Sequence, residues 1–347
     1  MPTVHESAPL ALAATANTRL LKLELNPSQK LSESLISVRL HSTPLQDSPP
    51  FTAVSYVWGD PSPTKTILLH GQLFIVRQNL WDLLAQLQRV QYSDYLWIDD
   101  LCIDQTNISE RSHQVSIMGS IYTQAAKTIV WLGAATEETA KDMQDITKMF
   151  GEKDYTARER YVELYDELFS RPYWRRMWIQ QEYLLSSNIS IWCGEGALEP
   201  AVWYGLYKLL NGSGIGTNGG WGSIQFVQLH NLRYSVGINH RGSSLAAKLG
   251  ITVILQCADP RDRVYALLSV LSTQERKAWG IEPDYAKSAQ DLCDEMHRKF
   301  EDHSFPICRY AMGDNVNENF LKVLRDILWL DKPSGSAFDA PKPSSRR

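Results

Sequence analysis

Apolar and polar residues alternate through the first part of the chain in the short runs that β-strands require. The segments LLKLELNPSQ (20–29) and LSESLISVRL (31–40) alternate in this way, which predicts one or two short strands. Residues 51–58 (FTAVSYVW) are β-branched and aromatic and precede the turn residues Gly-Asp-Pro, so they predict a buried strand. The runs TKTILLHG and QLFIV predict a hairpin that turns at His70-Gly71.

Helical and strand patterns then alternate. Leucines at helical spacing predict a helix that Asn79 caps and that continues to about Val90. The run YLWIDDLCID (95–104) predicts an apolar strand whose carboxyl end carries acidic residues into a loop. The later predicted elements are a helix from Asn107 or Ser109 to about Ala126, a strand over 128–133, helices over 136–149, 161–169 and 171–186, and a strand over 189–193.

This order of strands and helices predicts an α/β fold with a mostly parallel sheet flanked by helices. In such sheets, polar residues at the carboxyl ends of the strands usually line the ligand crevice. Here those residues fall at 55–60 and 99–105. We therefore expect a site, if the chain has one, to be built from these two segments.

The sequence changes character after residue 195. Residues 212–223 are rich in Gly, Ser and Asn and predict a flexible loop, whereas the patterns over 244–257, 262–271 and 291–303 are helical. The expected organisation is N-terminal strands and a loop over 1–50, a first domain over 51–195, a mainly helical C-terminal region over 196–332, and a polar, Pro/Ser-rich disordered tail over 333–347.

The composition excludes several classes of protein. The formal net charge is −4 and no long Lys/Arg run occurs, so a nucleic-acid partner is not expected. No apolar run approaches the roughly 20 residues of a membrane helix. The N-terminus lacks the basic start of a secretory signal, so we expect no membrane association and a cytoplasmic or nuclear location. The five cysteines are widely spaced and predict neither a metal site nor a disulfide framework.

Candidate chemistry begins at the two predicted strand ends. Ser55, Tyr56 and Trp58 lie where a strand meets a turn, and they either complete a buried strand or line a pocket. Asp99 either faces the same pocket or caps the next helix. A nucleophile pair formed by Cys102 and His113 is conceivable, but a buried, inert cysteine is the commoner case.

A second group lies in the segment RPYWRRMWIQQE (171–182). Its arginines, Arg175 among them, could bind a phosphate or carboxylate, or could form surface ion pairs. Glu182 follows Trp178 by four residues on a predicted helix, so the two side chains are expected on one face. A carboxylate beside an aromatic wall can stabilise developing positive charge, as in cleavage of a glycosidic bond, although a lone helical Glu is usually solvated or ion-paired.

The common catalytic motifs are missing. The sequence has no G-x-x-x-x-G-K-[ST], no G-x-G-x-x-G after a strand, no H-E-x-x-H and no G-x-S-x-G. These absences count against an NTPase, a Rossmann dehydrogenase, a zinc protease and an α/β-hydrolase. No bound cofactor is expected.

Three ordered blocks resemble the fungal heterokaryon-incompatibility (HET) domain. They are AVSYVWGD (53–60), the long block LWIDDLCIDQ…TIVWLG (96–133), and RPYWRRMWIQQE (171–182). The resemblance continues weakly in DPRDRVYALLSV (259–270) and IEPDYAKS (281–288). One departure is Asp104, where the family usually has Asn before the Gln.

The resemblance implies a fungal protein of non-self recognition, in which incompatible fusion of hyphae triggers programmed cell death. It also implies distant kinship with Toll/interleukin-1-receptor (TIR) domains, some of which hydrolyse NAD with a Glu in a W-x-x-x-E arrangement. Trp178 and Glu182 reproduce that spacing. Carried over, Glu182 would stabilise the ribosyl cation, Trp178 would wall the pocket, and Ser55, Tyr56 and Asp99 would line it.

Three functions remain open from the sequence. The first is a signalling module that acts through self-association or other incompatibility proteins. The second is an NAD glycohydrolase, for which NAD is a substrate and not a cofactor. The third is a small-molecule enzyme or accessory protein of a secondary-metabolite pathway.

Overall fold

The computed structural model describes residues 4–11, 16–25, 35–152, 161–212, 220–234, 245, 248–249, 254–302 and 316–330. The strands are β1 (Asn17–Leu23), β2 (Ser37–Pro44), β3 (Phe51–Tyr56), β4 (Thr64–Leu69), β5 (Gln72–Arg77), β6 (Tyr95–Trp97), β7 (Lys127–Trp131), β8 (Ile189–Cys193) and β9 (Gly196–Leu198). The helices are α1 (Gln78–Arg89), α2 (Asp99–Cys102), α3 (Ile108–Gln124), α4 (Glu137–Glu152), α5 (Val162–Ser170), α6 (Ile179–Leu184), α7 (Pro200–Gly212), α8 (Gly220–Tyr234), α9 (Asp262–Leu268), α10 (Thr273–Trp279), α11 (Ala289–Asp302) and α12 (Val316–Ile327).

The described strands form one sheet in the order β5-β4-β2-β1-β6-β3-β7-β8-β9. The α/β class predicted from the sequence is therefore confirmed. The strands β6, β3, β7 and β8 are parallel neighbours, and helices connect them along the chain. Their carboxyl ends consequently lie at one edge of the sheet, where β3 delivers Ser55 and Tyr56 and β6 leads to Asp99.

The prediction of a mostly parallel sheet is wrong. The pairs β1–β2, β1–β6, β4–β5 and β8–β9 are antiparallel, and only β2–β4, β3–β6, β3–β7 and β7–β8 are parallel. The physical reason is that short turns join β4 to β5 and β8 to β9, and such turns can connect only antiparallel neighbours. At the β4–β5 turn, His70 and Gly71 both have positive φ angles, of 52° and 82°.

Several helix ends differ from the prediction. Helix α1 forms as expected, but Asn79 does not cap it; its side chain instead donates to the Val57 carbonyl and accepts from the Trp131 indole. Asn107 does cap α3, with its side chain accepting from the Glu110 N–H. The predicted helix over 171–186 is two pieces, a 3-10 turn over Pro172–Arg175 and then α6, because the backbone at Arg176 is extended.

Three groups of buried side chains form the core. The first lies between β1–β6 and the helices α1 to α3, and the second joins β7–β9 to α4, α5, α7 and α8. The third lies among α9 to α12 and also includes Val115 of α3 and Met177. The C-terminal region therefore packs directly on residues that precede it in the sequence by more than a hundred positions.

Some sequence predictions fall outside the described residues. The predicted tail over 333–347 is one, and the segment 244–257 is described only at its end and at three isolated positions. Of the predicted loop over 212–223, the described end at Gly220 already belongs to α8.

Candidate functional site

A buried network of four polar side chains joins the end of β3 to α6. The guanidinium of Arg176 donates to both carboxylate oxygens of Glu182, with Nη1–Oε2 at 2.7 Å and Nη2–Oε1 at 3.0 Å. The Ser55 hydroxyl donates to Oε2 of the same carboxylate. Because its only proton is used there, Ser55 Oγ accepts from the Tyr173 hydroxyl, 2.8 Å away. Glu182 is 2% exposed and Ser55 1%, so the carboxylate and the hydroxyl have almost no access to solvent, whereas the Arg176 side chain is 15% exposed.

The charges of this network are balanced within it. Burial alone would lower the pKa of Arg176, but the adjacent Glu182 carboxylate raises it by a larger amount. The pKa of Arg176 is therefore above its ordinary value, and the guanidinium stays charged. Burial and the Glu182 charge both raise the pKa of Tyr173, which stays protonated as a donor. A buried, bidentate Arg–carboxylate pair is strongly held, because loss of either partner strands a charge.

A second, more accessible group lies beside this network at the ends of β3 and β6. The Trp58 indole donates to Oδ2 of Asp99 at 2.9 Å, and the Asp100 N–H donates to Oδ1 at 2.8 Å. Asp99 is partly buried, and burial together with the nearby Asp100 charge raises its pKa to about 7, against the opposing effect of Arg176. At neutral pH this carboxyl group can therefore either release or accept a proton.

The hydroxyl of Tyr56 belongs to the same neighbourhood. Tyr56 is 2% exposed, and its hydroxyl has no hydrogen-bond partner among the described residues. Burial and the charges of Asp99 and Asp100 raise its pKa, so it remains a neutral donor. A buried donor without a partner is uncommon in folded proteins and marks this point as one where a polar ligand atom could bind.

Trp178 lies one helical turn before Glu182, and the Glu182 N–H donates to the Trp178 carbonyl at 3.2 Å. The side chains diverge, however. The Trp178 indole donates to Oδ2 of Asp262 in α9, and the Tyr285 hydroxyl donates to Oδ1 of the same carboxylate at 2.6 Å. The aromatic residue of the W-x-x-x-E spacing therefore contacts the C-terminal region.

Two further candidates take no part in these side-chain hydrogen bonds. Arg175 is exposed, and its side chain has no hydrogen-bond partner within the described ranges. Cys102 is fully buried, and its sulfur accepts from the Ile98 N–H. Burial raises the pKa of this thiol to about 12, so it stays protonated and is not a nucleophile at neutral pH.

The short helix α2, which begins at Asp99, and the loop that follows it are held by another buried ion pair. Arg19 of β1 donates to both oxygens of Glu110, and Glu110 also accepts from the Asp104 N–H at 2.7 Å. Arg19 donates as well to the Cys102 carbonyl. The side chain of Asp104 only accepts, from the N–H and hydroxyl of Thr106. An Asn oxygen can accept in the same way, so the departure from the family residue keeps this turn.

In the part of the chain that the structure describes, no group of His, Cys, Asp and Glu side chains is arranged to hold a metal ion. No described helix has the length and apolar character needed to cross a membrane.

Sequence reasoning brought Ser55, Tyr56, Trp58 and Asp99 to one neighbourhood but did not place Arg176 or Tyr173 in it. Both missed residues lie in the block RPYWRRMW (171–178), which the resemblance had already identified, so membership of that block was the sequence signal that could have found them. Asp262 and Tyr285, which hold Trp178, come from the two weaker blocks at 259–270 and 281–288. The five blocks therefore meet in one part of the fold.

Comparison with known protein families matches the part of the chain that contains this network. Residues 51–182 match the family described as "Heterokaryon incompatibility protein (HET)". The matched range begins at β3 and ends at Glu182, so it includes every member of the buried network. The resemblance inferred from the sequence blocks is confirmed over residues 51–182, the range that matches this family and that is called the HET domain below.

A curated relative extends the likeness beyond this domain. The heterokaryon incompatibility protein 6, OR allele, of Neurospora crassa is 25% identical in an alignment 343 positions long, which covers 78% of this chain and 50% of the relative. The chain thus spans about half the length of the relative it matches. No solved structure matches the chain.

Proposed function

We propose that this chain is a signalling protein of fungal heterokaryon incompatibility, in which recognition of a non-self partner leads to programmed cell death. The observation that carries the proposal is the HET domain over 51–182, together with the Neurospora relative. The expected partners are other incompatibility proteins or further copies of the chain, since a recognition signal of this kind passes through protein contacts.

Inducible expression in a filamentous fungus tests this role. We expect induction of the wild-type chain to kill hyphae, measured as entry of a membrane-impermeant dye. Arg176→Ala should reduce killing because it leaves Glu182 buried without its cation. Lys148→Gln, on the exposed face of α4, is the matched control and should kill like wild type. Full viability at wild-type protein levels, checked by immunoblot, would count against the proposal.

A second candidate function is hydrolysis of NAD at its nicotinamide–ribose bond. What favours it is the helical W-x-x-x-E turn, with Ser55 bound to Glu182 and with Asp99 close enough to sense the Glu182 charge. In this reaction the C–N bond breaks, nicotinamide leaves, and water adds to the ribose with loss of a proton. Glu182 would stabilise the positive charge on the ribose as that bond breaks.

The buried ion pair sets a condition on this chemistry. Glu182 is 2% exposed and both of its oxygens accept from Arg176, so NAD can reach it only when the pair separates. We therefore expect turnover to be low in dilute protein and to rise with assembly or partner binding. A concentration series of NAD consumption by the purified chain measures this dependence.

The variant Glu182→Gln tests the mechanism, because it removes the carboxylate charge and keeps the shape of the side chain. It needs a stability control, since it also removes one member of a buried ion pair. Circular dichroism and a urea unfolding curve should accompany the assay. Loss of turnover in a Glu182→Gln protein that is still folded would support the mechanism, and unchanged turnover would exclude it. Neither the family match nor the relative favours the alternative role in a secondary-metabolite pathway.

A further inference from the structure

A groove of about 600 Å³ lies between α3 and residues 269–282 of the C-terminal region. At its base Gly119 meets Ser269, where a Cβ on the glycine would lie 2.3 Å from the Ser269 Cβ. Only a glycine permits so close an approach. Small-molecule sites in proteins usually measure about 300–1,000 Å³, so the groove is large enough for a molecule of nucleotide size.

The walls of the groove combine apolar and polar surfaces. Leu185 and Leu271 supply apolar walls, and the exposed rim of α3 contributes the Ser120 hydroxyl and the Gln124 amide. Neither polar group has a hydrogen-bond partner elsewhere in the described ranges. A few convergent polar groups against apolar walls are the usual make-up of a ligand site.

Two cations and one carboxylate border the same groove. Arg276 forms an ion pair with the more exposed Glu282, with Nη2–Oε2 at 3.6 Å, which is beyond hydrogen-bond distance, and the Arg276 side chain is 35% exposed. Its guanidinium donates no hydrogen bond to any residue that the structure describes. Lys277, which is exposed, forms no ion pair with another described residue. The groove therefore carries net positive charge and unused donors.

We infer that this groove binds a small anionic molecule, with Arg276 and Lys277 holding its phosphate or carboxylate group. Both cations line the groove, and the guanidinium can donate two parallel hydrogen bonds to such a group. Ser120 and Gln124 would bind polar atoms of the remaining part of the ligand. The site is separate from the Ser55–Glu182 network, so it does not depend on NAD hydrolysis.

Isothermal titration calorimetry of the full chain tests the inference with four probes. AMP and inorganic pyrophosphate represent phosphates, citrate represents carboxylates, and adenosine is the neutral control. The variant Arg276→Gln/Lys277→Gln removes both cations. The matched variant Arg89→Gln/Lys148→Gln removes two cations that lie on the exposed surface outside the groove.

We expect an anionic probe to bind wild type and the matched variant, and to bind Arg276→Gln/Lys277→Gln at least about tenfold more weakly, as for loss of charged hydrogen bonds. Glu282→Gln should strengthen binding, since it removes the opposing carboxylate. Binding of AMP or pyrophosphate would identify a phosphate site, and binding of citrate alone a carboxylate site. The inference is overturned if none of the anions binds wild type, or if the groove variant binds them as well as wild type does.

Discussion

The indole of Trp178 donates a hydrogen bond of 3.1 Å to the carboxylate of Asp262. Trp178 immediately precedes α6 in the HET domain, and Asp262 begins α9, eighty-four positions later in the chain. Tyr285 completes the link through its hydroxyl, and the Arg111 guanidinium lies 4.0 Å from the centre of its ring. The HET domain is thus joined to the C-terminal region by polar contacts that have little access to water.

This link predicts a pH-dependent stability. Burial, reinforced by the nearby Asp259 charge, raises the pKa of Asp262 from its ordinary value of 3.8 to about 7. Between about pH 4 and pH 7 Asp262 therefore holds more protons in the folded chain than in the unfolded chain, so this residue contributes a negative slope to the free energy of unfolding plotted against pH. We expect Asp262→Asn to flatten this slope, measured by urea unfolding across the range.

Asp60→Asn, at an exposed aspartate, is the control for that experiment and should keep the wild-type slope. Asp99 also has a pKa of about 7 and contributes in the same direction, so the slope of Asp262→Asn should shrink without vanishing. An identical slope in wild type and Asp262→Asn would refute the assignment.

The Arg176–Glu182 pair predicts that a single substitution lowers the free energy of unfolding more than a double substitution does. Arg176→Ala should lower the free energy of unfolding by about 3–5 kcal/mol, because a buried carboxylate loses its cation. The double variant Arg176→Met/Glu182→Leu should cost less than the single one, since no charge is left unpaired. Denaturant unfolding of both proteins measures the difference. If Arg176→Ala were as stable as wild type, the pair would contribute nothing to the fold.

The close contact between Gly119 and Ser269 predicts that one substitution lowers stability and that a second one restores it. Alanine normally favours a helix over glycine by about 1 kcal/mol. Here the added methyl would clash with Ser269, and overpacking of this kind costs about 1–3 kcal/mol, so Gly119→Ala should lower the melting temperature. Adding Ser269→Gly removes the atoms it meets and should restore much of the loss. A rise in melting temperature for Gly119→Ala alone would mean that α3 does not pack as described.

The buried cysteines predict slow thiol chemistry. Burial raises the pKa of Cys102 to about 12 and that of Cys193 to about 11, so neither forms much thiolate at pH 8. We expect iodoacetamide to leave both unmodified in the folded chain and to alkylate both in 6 M guanidinium, as read by peptide mass spectrometry. Rapid alkylation of Cys102 in the folded protein would revive it as a candidate nucleophile.

Local signals in the sequence were sufficient for most of the fold. Neighbouring residues predicted the hairpin at His70-Gly71, a helix that starts at Ser109 or Asn107, and a buried strand over 51–58. The structure has the hairpin, caps the helix with Asn107 and ends the strand at Tyr56. Strand pairing depends on contacts distant in sequence. The antiparallel pairing of β1 with β6, for example, has no local signal. The sheet direction was therefore the part that sequence patterns could not give.

The candidate site shows the same division. Ser55 and Asp99 were grouped because each was predicted near the end of a parallel strand, and that rule requires only the order of elements. The structure places Ser55 in β3 and Asp99 two residues after β6, at the start of α2. The contacts that the Trp178 and Glu182 side chains make could not be predicted from their spacing. Side chains four residues apart share a helix face. Here, however, the Trp178 indole bonds to Asp262 and the Glu182 carboxylate to Arg176, and these two partners belong to different segments of the chain.

The place of β2 in the sheet has a consequence for how the HET domain can fold. The hairpin β4–β5 lies inside the matched range 51–182, yet within the sheet it is joined to the other strands only through β2, which lies outside that range. A fragment that starts at residue 51 would leave β4 without its neighbour β2 and one side of β6 without its neighbour β1, so that only helix α1, among the described elements, would still pack closely on the hairpin. The unit recognised by sequence comparison is thus smaller than the unit that folds, and such a fragment should aggregate in size-exclusion chromatography where the longer chain stays dispersed.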